Sequence, residues 1–283
     1  MLKLFKESFK TANDCIILAI PLVLFIWILS FYLGYANKIV DKAPEFIIAT
    51  VTVLIMTGAF FSGWFYMVKK GIEASKGIFV LDADRVKAIG DLLKLMPRGI
   101  AKLFIPLVCV FLLFKICSVL LYFIINLAGT NLIGEVYTAE QASQILSSSP
   151  QELISFLETL SEDQINKLRL WNVLIISTTT VYLFSLMLWI PEIIYLTQNP
   201  FFALFKSIKK VYIKFWKSVI LFVYLTILNI ITSIISTFAL THPLLYLLIM
   251  VVIFYYVIYS VILIFSFYRQ EFCETEVKNE QKA

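Results

Sequence analysis

The sequence predicts an all-α polytopic membrane protein with six transmembrane helices, three basic interfacial helices and a helical extracytoplasmic loop. Two observations carry this reading. Six apolar stretches are each long enough to cross a bilayer, and the Lys and Arg residues between them fall almost entirely on one side. With 60% hydrophobic residues and a mean hydropathy of +0.89, the chain does not read as a soluble protein with six buried helices. The long apolar runs lack the two-residue alternation of barrel strands, and lipid offers no partner for unpaired backbone groups.

The spans are Cys15–Gly34, Phe46–Val68, Leu103–Leu127, Trp171–Leu196, Val219–Ala239 and Leu244–Tyr268. At about 1.5 Å rise per residue, each covers the ~30 Å hydrocarbon core. Residues 1–268 therefore form one transmembrane domain, and 269–283 a polar tail. The first apolar run is too long for a usual signal-peptide core, so it reads as an uncleaved anchor.

Orientation follows from the bases. Of 24 Lys and Arg residues, 19 lie in the N-terminal tail, the second loop, the fourth loop and the C-terminal tail. Four (Lys38, Lys42, Lys167 and Arg169) lie on the other side, and Lys115 lies inside the third span. Positive residues stay cytoplasmic, so both termini are expected inside, in a bacterial inner membrane. The net charge of +5 is then the excess of a basic inner face. Its expected partner is a bilayer with anionic headgroups; nucleic acid is not implied. A membrane-protein partner or a second copy is a further open contact.

A basic amphipathic segment precedes each odd-numbered span. In the tail Leu2, Phe5 and Phe9 recur at helical spacing while Lys3, Lys6 and Lys10 face elsewhere. In the second loop Asp82 is placed to cap a helix with Val86, Ile89, Leu93 and Met96 on one side and Arg85, Lys87, Asp91 and Lys94 around the other. In the fourth, Asn199 suits an N-cap and Pro200 the first helical position. Phe201, Phe205, Ile208, Tyr212 and Phe215 follow among lysines. Such helices lie in the headgroup plane, and Lys6, Lys10, Lys94, Arg98, Lys206, Lys210 and Lys214 are the candidate headgroup contacts.

Two short matches suggest a threefold unit of interfacial helix, span, outer loop and span. Leu4-Phe5-Lys6-Glu7-Ser8-Phe9-Lys10 resembles Leu204-Phe205-Lys206-Ser207-Ile208-Lys209-Lys210, and Ile20-Pro21-Leu22-Val23 recurs as Ile105-Pro106-Leu107-Val108. Triplication and convergence of basic amphipathic flanks both account for this.

The third loop, Ala128 to Leu170, has three capping-box matches: Thr138-x-x-Gln141, Ser149-x-x-Glu152 and Ser161-x-x-Gln164. Short helices are expected there, either packed over the span ends or presented to a partner or ligand.

At Ala203-Leu204-Phe205-Lys206-Ser207-Ile208 and Lys214-Phe215-Trp216-Lys217 the chain resembles a group of bacterial multi-pass membrane domains. The group includes the membrane domain attached to some glycerophosphodiester phosphodiesterases. About twenty residues carry the resemblance, and Tyr212-Ile213-Lys214 stands where those domains often have Lys-Gly-Asn. No phosphodiesterase domain accompanies the match, so it implies an integral membrane domain and no activity.

Chemistry-bearing residues are few. Lys115, about twelve residues into the third span, is expensive in lipid and calls for a partner, a route to the interface or a functional role. Side chains lean toward the helix N-terminus, which brings Lys115 and Glu192 of the antiparallel fourth span to similar depths. An ion pair between them is the expectation, with snorkelling of Lys115 or an ion or substrate path as alternatives. Glu192 follows Pro191, whose ring disrupts the hydrogen bond to the Met187 carbonyl. Thr226, Asn229, Ser233 and Ser236 form a polar stripe on the fifth span, suited to helix–helix bonding or to a hydrophilic passage. Ser30/Gly34 and Ala59/Gly63 are small pairs that permit close approach of the first two spans.

Catalytic material is lacking. His242 is the only histidine, there is no Gly-x-Ser-x-Gly elbow and no phosphate-binding glycine-rich loop. The four cysteines offer no disulfide framework. No catalytic residue, metal ligand or cofactor is expected. The reading is a non-enzymatic membrane-organising or accessory protein, with a small-solute or lipid transporter using the Lys115 region and the fifth-span stripe as the alternative.

Overall fold

The computed structural model describes residues 1–40, 42–75, 77, 82–137, 156, 160–238 and 243–273. Among these the chain is helical with no strand, and six segments are long and apolar enough to span a membrane. Helix α1 (Leu2–Asp14) leads through a 3₁₀ turn at Ile16–Leu18 into α2 (Ala19–Ile39). Then come α3 (Ala43–Ser75), α4 (Asp82–Gly90), a 3₁₀ turn at Asp91–Leu95 and α5 (Met96–Leu132). Helices α6 (Glu162–Leu186) and α7 (Trp189–Tyr195) make the fourth span. The basic helix α8 (Pro200–Ile213) follows, then α9 (Phe215–Thr237) and α10 (Pro243–Tyr268), which runs into a π-turn at Arg269–Cys273.

Local chemistry explains the breaks. Pro191 has no N–H for the Met187 carbonyl, so α6 stops at Leu186 and α7 restarts at Trp189, with the Glu192 N–H on the Leu188 carbonyl at 3.1 Å. The Asn199 side chain accepts from the N–H groups of Phe201 and Phe202 at 3.1 and 3.2 Å, and Pro200 opens α8 as expected. The Ser161 capping box also forms. Ser161 N–H donates to Gln164 Oε1 at 3.1 Å, and Gln164 N–H to Ser161 Oγ at 3.3 Å. The boxes at Thr138 and Ser149, the turn at His242 and most of the tail lie outside the described residues.

The contacts divide the chain into two compact units, residues 1–112 with 185–283, and residues 113–184. In the smaller unit Trp171 lies across Gly129, where an added Cβ would meet the indole at 2.1 Å, and donates to the Gly134 carbonyl at 3.1 Å. Gly134 has φ +85°, a left-handed conformation that ends α5 with little cost for a residue without Cβ. Tyr182 O–H donates to the Phe114 carbonyl at 3.2 Å and lies 3.2 Å from Ser118 Oγ.

In the larger unit an aromatic seam joins α2 to α3. Phe25 stacks on Phe60 at 4.0 Å, and Trp64, fully buried, donates to the Leu18 carbonyl at 3.0 Å, satisfying an acceptor at the α1–α2 turn. The small pairs act differently from expectation. Nothing lies within 4 Å of a Cβ built on Gly34, whereas Gly63 faces α5: a Cβ on Gly99 would sit 2.9 Å from the Gly63 Cα. The close crossing is therefore α3 on α5, because bulky aromatics already fill the α2–α3 seam.

Both α1 and α8 turn a face of mostly small residues toward protein. In α1 the buried positions are Leu4, Ser8, Thr11 and Ala12; in α8 they are Ala203, Ser207 and Val211, while Phe201, Phe202 and Phe205 are exposed. The helix-ending residues match too. Cys15 (φ −100°, ψ 24°) and Lys214 (φ −107°, ψ 39°) each donate to the carbonyl four residues back, at 3.0 and 3.2 Å. Buried Leu18, Leu22 and Phe25 at the first Ile-Pro-Leu-Val match correspond to buried Leu103, Leu107 and Val110 at the second. The burial pattern repeats, with Ser8 matching Ser207 one residue away from the alignment of Leu4 with Leu204.

In the second loop the expected line Val86, Ile89, Leu93 and Met96 assumes one continuous α-helix. The 3₁₀ turn at Asp91–Leu95 changes the register, so Leu92 points inward, 2% exposed, and Val86 is 70% exposed.

Substituting Gly99→Val should lower stability by about 1–3 kcal/mol, because its Cβ would meet backbone and the Tyr66 Cβ rather than a movable side-chain tip. Gly34→Val should leave the melting temperature in detergent unchanged. Equal effects at the two glycines would contradict the α3–α5 crossing.

Candidate functional site

The polar centre of the larger unit sits where α7, α8 and α10 meet, at the end rich in lysine. The break before Trp189 sets α7 at the end of the fourth span, the Asn199-Pro200 cap turns the chain into α8, and Lys210 comes back beside Glu192. Glu192 is completely buried. Its Oε2 accepts from Lys210 Nζ at 2.8 Å and from the Tyr268 hydroxyl, and its Oε1 has no hydrogen-bond partner among the described residues.

Aromatic rings enclose this pair. Lys210 Nζ lies 4.9 Å from the centre of the Tyr268 ring and 5.4 Å from that of Phe272. Tyr195 stacks on Tyr268 at 5.8 Å, and Lys69 Nζ lies 4.9 Å over the Tyr195 ring while donating to the Ile194 carbonyl at 3.0 Å. That bond places a cation at the C-terminal end of α7, where the free carbonyls concentrate negative potential. On the neighbouring face Glu271 holds Lys217 at 2.5 Å and Lys214 at 3.6 Å, and Gln270 donates to Glu7 of α1 at 3.2 Å. The end of α10 is thus tied to α8, α9 and α1 through polar side chains.

Beside the buried pair opens a cleft of about 290 Å³ lined by Glu192, Leu196, Lys206, Lys209, Lys210 and Ile213.

The candidate residues named from sequence are distributed as follows. Glu192 is in the centre, but its partner is Lys210 and not Lys115, which is exposed on α5. The reason is connectivity: the chain turns at the Asn199-Pro200 cap and α8 brings the Lys210 ammonium onto Glu192. Thr226, Asn229 and Ser233 are exposed on α9. Thr226 donates to the Phe222 carbonyl at 2.9 Å and Ser236 to the Ser233 carbonyl at 2.7 Å, within their own helix. Lys6, Lys10, Lys94, Arg98 and Lys206 are exposed as headgroup contacts require, with Lys94 held by Asp91 at 2.6 Å. Lys210 and Lys214 are instead engaged by Glu192 and Glu271.

Sequence reasoning missed Lys210 and Tyr268 as partners of Glu192. A signal for Lys210 was present: it follows Ser207 by three residues and Ala203 by seven, which puts it beside the small-residue face that packs inward. Tyr268 ends the sixth span and carries no comparable mark.

Helical architecture and six segments long and apolar enough to span a membrane, among the described residues, mark a multi-pass integral membrane protein. No family model, curated protein or solved structure matches the chain.

Replacing Lys210 with Met should strand the Glu192 carboxylate in a low-dielectric site and cost about 3–5 kcal/mol, whereas Lys210→Met with Glu192→Gln should cost less than the two single changes together. Thermal unfolding in detergent reads both, and Lys115→Met serves as the control with little effect. Additive costs, or a larger effect at Lys115, would contradict the assigned pair.

Proposed function

We propose that the protein is a non-enzymatic membrane-organising or accessory component of a bacterial inner membrane, oriented with both termini in the cytoplasm and its lysine-rich end against anionic headgroups. The observation that carries this reading is where the polar groups of the spans are directed. Thr226, Thr232 and Ser236 of α9 all donate to carbonyls of their own helix. Hydroxyls so engaged add little to a hydrophilic passage. The concentrated polarity lies at the basic end, where exposed Lys6, Lys10 and Lys206 stand beside exposed Phe9, Phe201 and Phe205. Such pairing of aromatic and cationic side chains suits the headgroup boundary, with rings in the acyl region and ammonium groups on phosphate. The resemblance over residues 203–217 to bacterial stand-alone membrane domains agrees with this reading.

Two measurements test it. In proteoliposomes, neither entrapped small solutes nor headgroup-labelled lipid should cross faster than in empty vesicles; flux above that background would favour the transporter reading. In cells, a cysteine at position 37 should react with a membrane-impermeant reagent from outside and one at position 209 only after lysis. The reverse pattern would overturn the orientation.

A further inference from the structure

The cleft between α7 and α8 combines three features that together describe a ligand. Glu192, 0% exposed, is one of its lining residues and carries an Oε1 with no hydrogen-bond partner among the described residues, while its other oxygen is occupied by Lys210 and Tyr268. A carboxylate oxygen enclosed in this way calls for an N–H or O–H group from outside the protein. Lys210 and Glu192 neutralise each other, so the positive charge that remains on the cleft belongs to Lys206 and Lys209. Both are exposed, four residues and one residue before Lys210 on α8, and in the described residues neither is held by a carboxylate. Leu196 and Ile213 supply apolar surface beside the charges, and Phe201, Phe202 and Phe205 are exposed elsewhere on α8.

We propose that this cleft is a binding site for a phospholipid headgroup that carries, beyond its phosphate, a hydroxyl or ammonium donor. The phosphate lies against Lys206 and Lys209, the donor reaches Glu192 Oε1, and the acyl chains follow the aromatic flank of α8. The inference rests on the reading of the basic end as lipid-facing and makes it selective. Phosphatidylglycerol and phosphatidylethanolamine carry such a donor, whereas the trimethylated ammonium of phosphatidylcholine has no N–H to give. A soluble phosphodiester with the same hydroxyls shares the polar chemistry; the apolar wall and flank favour the lipid.

The test uses the full chain purified in detergent and titrated with dihexanoyl phosphatidylglycerol, phosphatidylethanolamine and phosphatidylcholine, with occupancy read by native mass spectrometry. The glycerol and ethanolamine lipids should fill one site about tenfold more tightly than the choline lipid, the scale of one charge-assisted hydrogen bond. Lys206→Gln/Lys209→Gln, two exposed changes, should weaken phosphatidylglycerol binding by about tenfold without moving the melting temperature. Glu192→Gln should abolish the discrimination against choline. Equal binding of all three lipids, or unchanged binding by the double lysine variant, would overturn the site. Deacylated glycerophosphoglycerol competing at the same concentration as the lipid would overturn the lipid assignment. Binding of phosphatidylglycerol by the wild-type chain with no discrimination against choline would leave the general reading of the basic face standing while removing this cleft from it.

Discussion

A fully buried carboxylate constrains everything around it. Glu192 lies completely buried at a helix break, and desolvating a carboxylate without a counter-charge is prohibitive. The chain meets that demand by folding α8 back so that Lys210 and Tyr268 converge on one oxygen. The consequences spread outward. Tyr268 must end α10 at that depth, Tyr195 stacks on it, and Lys69 of α3 covers Tyr195 and the last carbonyls of α7. A hairpin built from Pro191 and Asn199-Pro200 thus becomes the point at which four helices are fixed.

Away from this centre, packing obeys the chemistry of a lipid-facing bundle. Large aromatic and aliphatic side chains gain nothing by leaving lipid, so they are free to point outward, and helices approach through small residues. Gly63 against Gly99, Ala12 and Ser8 on α1, and Ala203 and Ser207 on α8 all follow this rule. The exposed phenyl groups of α8 are on this view the membrane-facing side of the helix rather than an incomplete core.

How much of this was legible in the sequence depends on which force set each feature. The six spans follow from hydropathy, yet α3 runs to Ser75 where the apolar stretch ends at Val68. Hydropathy marks the lipid core and not the turns that carry Lys69, Lys70 and Glu73 beyond it. Pro191 announced the broken fourth span because a missing N–H is a local fact. The amphipathic helices were readable as helices, though the 3₁₀ turn at Asp91–Leu95 left no periodic trace and moved the buried residue to Leu92. Glu192 was recognisable as a residue in need of a partner. Its partner was not, since depth matching considers straight antiparallel spans, and Lys210 reaches it by chain reversal. The Gly63 contact with α5 in place of α2 is a tertiary choice that small-residue spacing cannot assign.

Hydrogen–deuterium exchange on the full chain in detergent, comparing wild type with Lys210→Met, addresses the central dependence directly. If the Glu192 cluster fixes the basic end, exchange rises in α7, α8 and the turn at 269–273 while α2 and the first half of α3 keep their protection. Unchanged exchange in α7 and α8, or a uniform rise across all six spans, would contradict it.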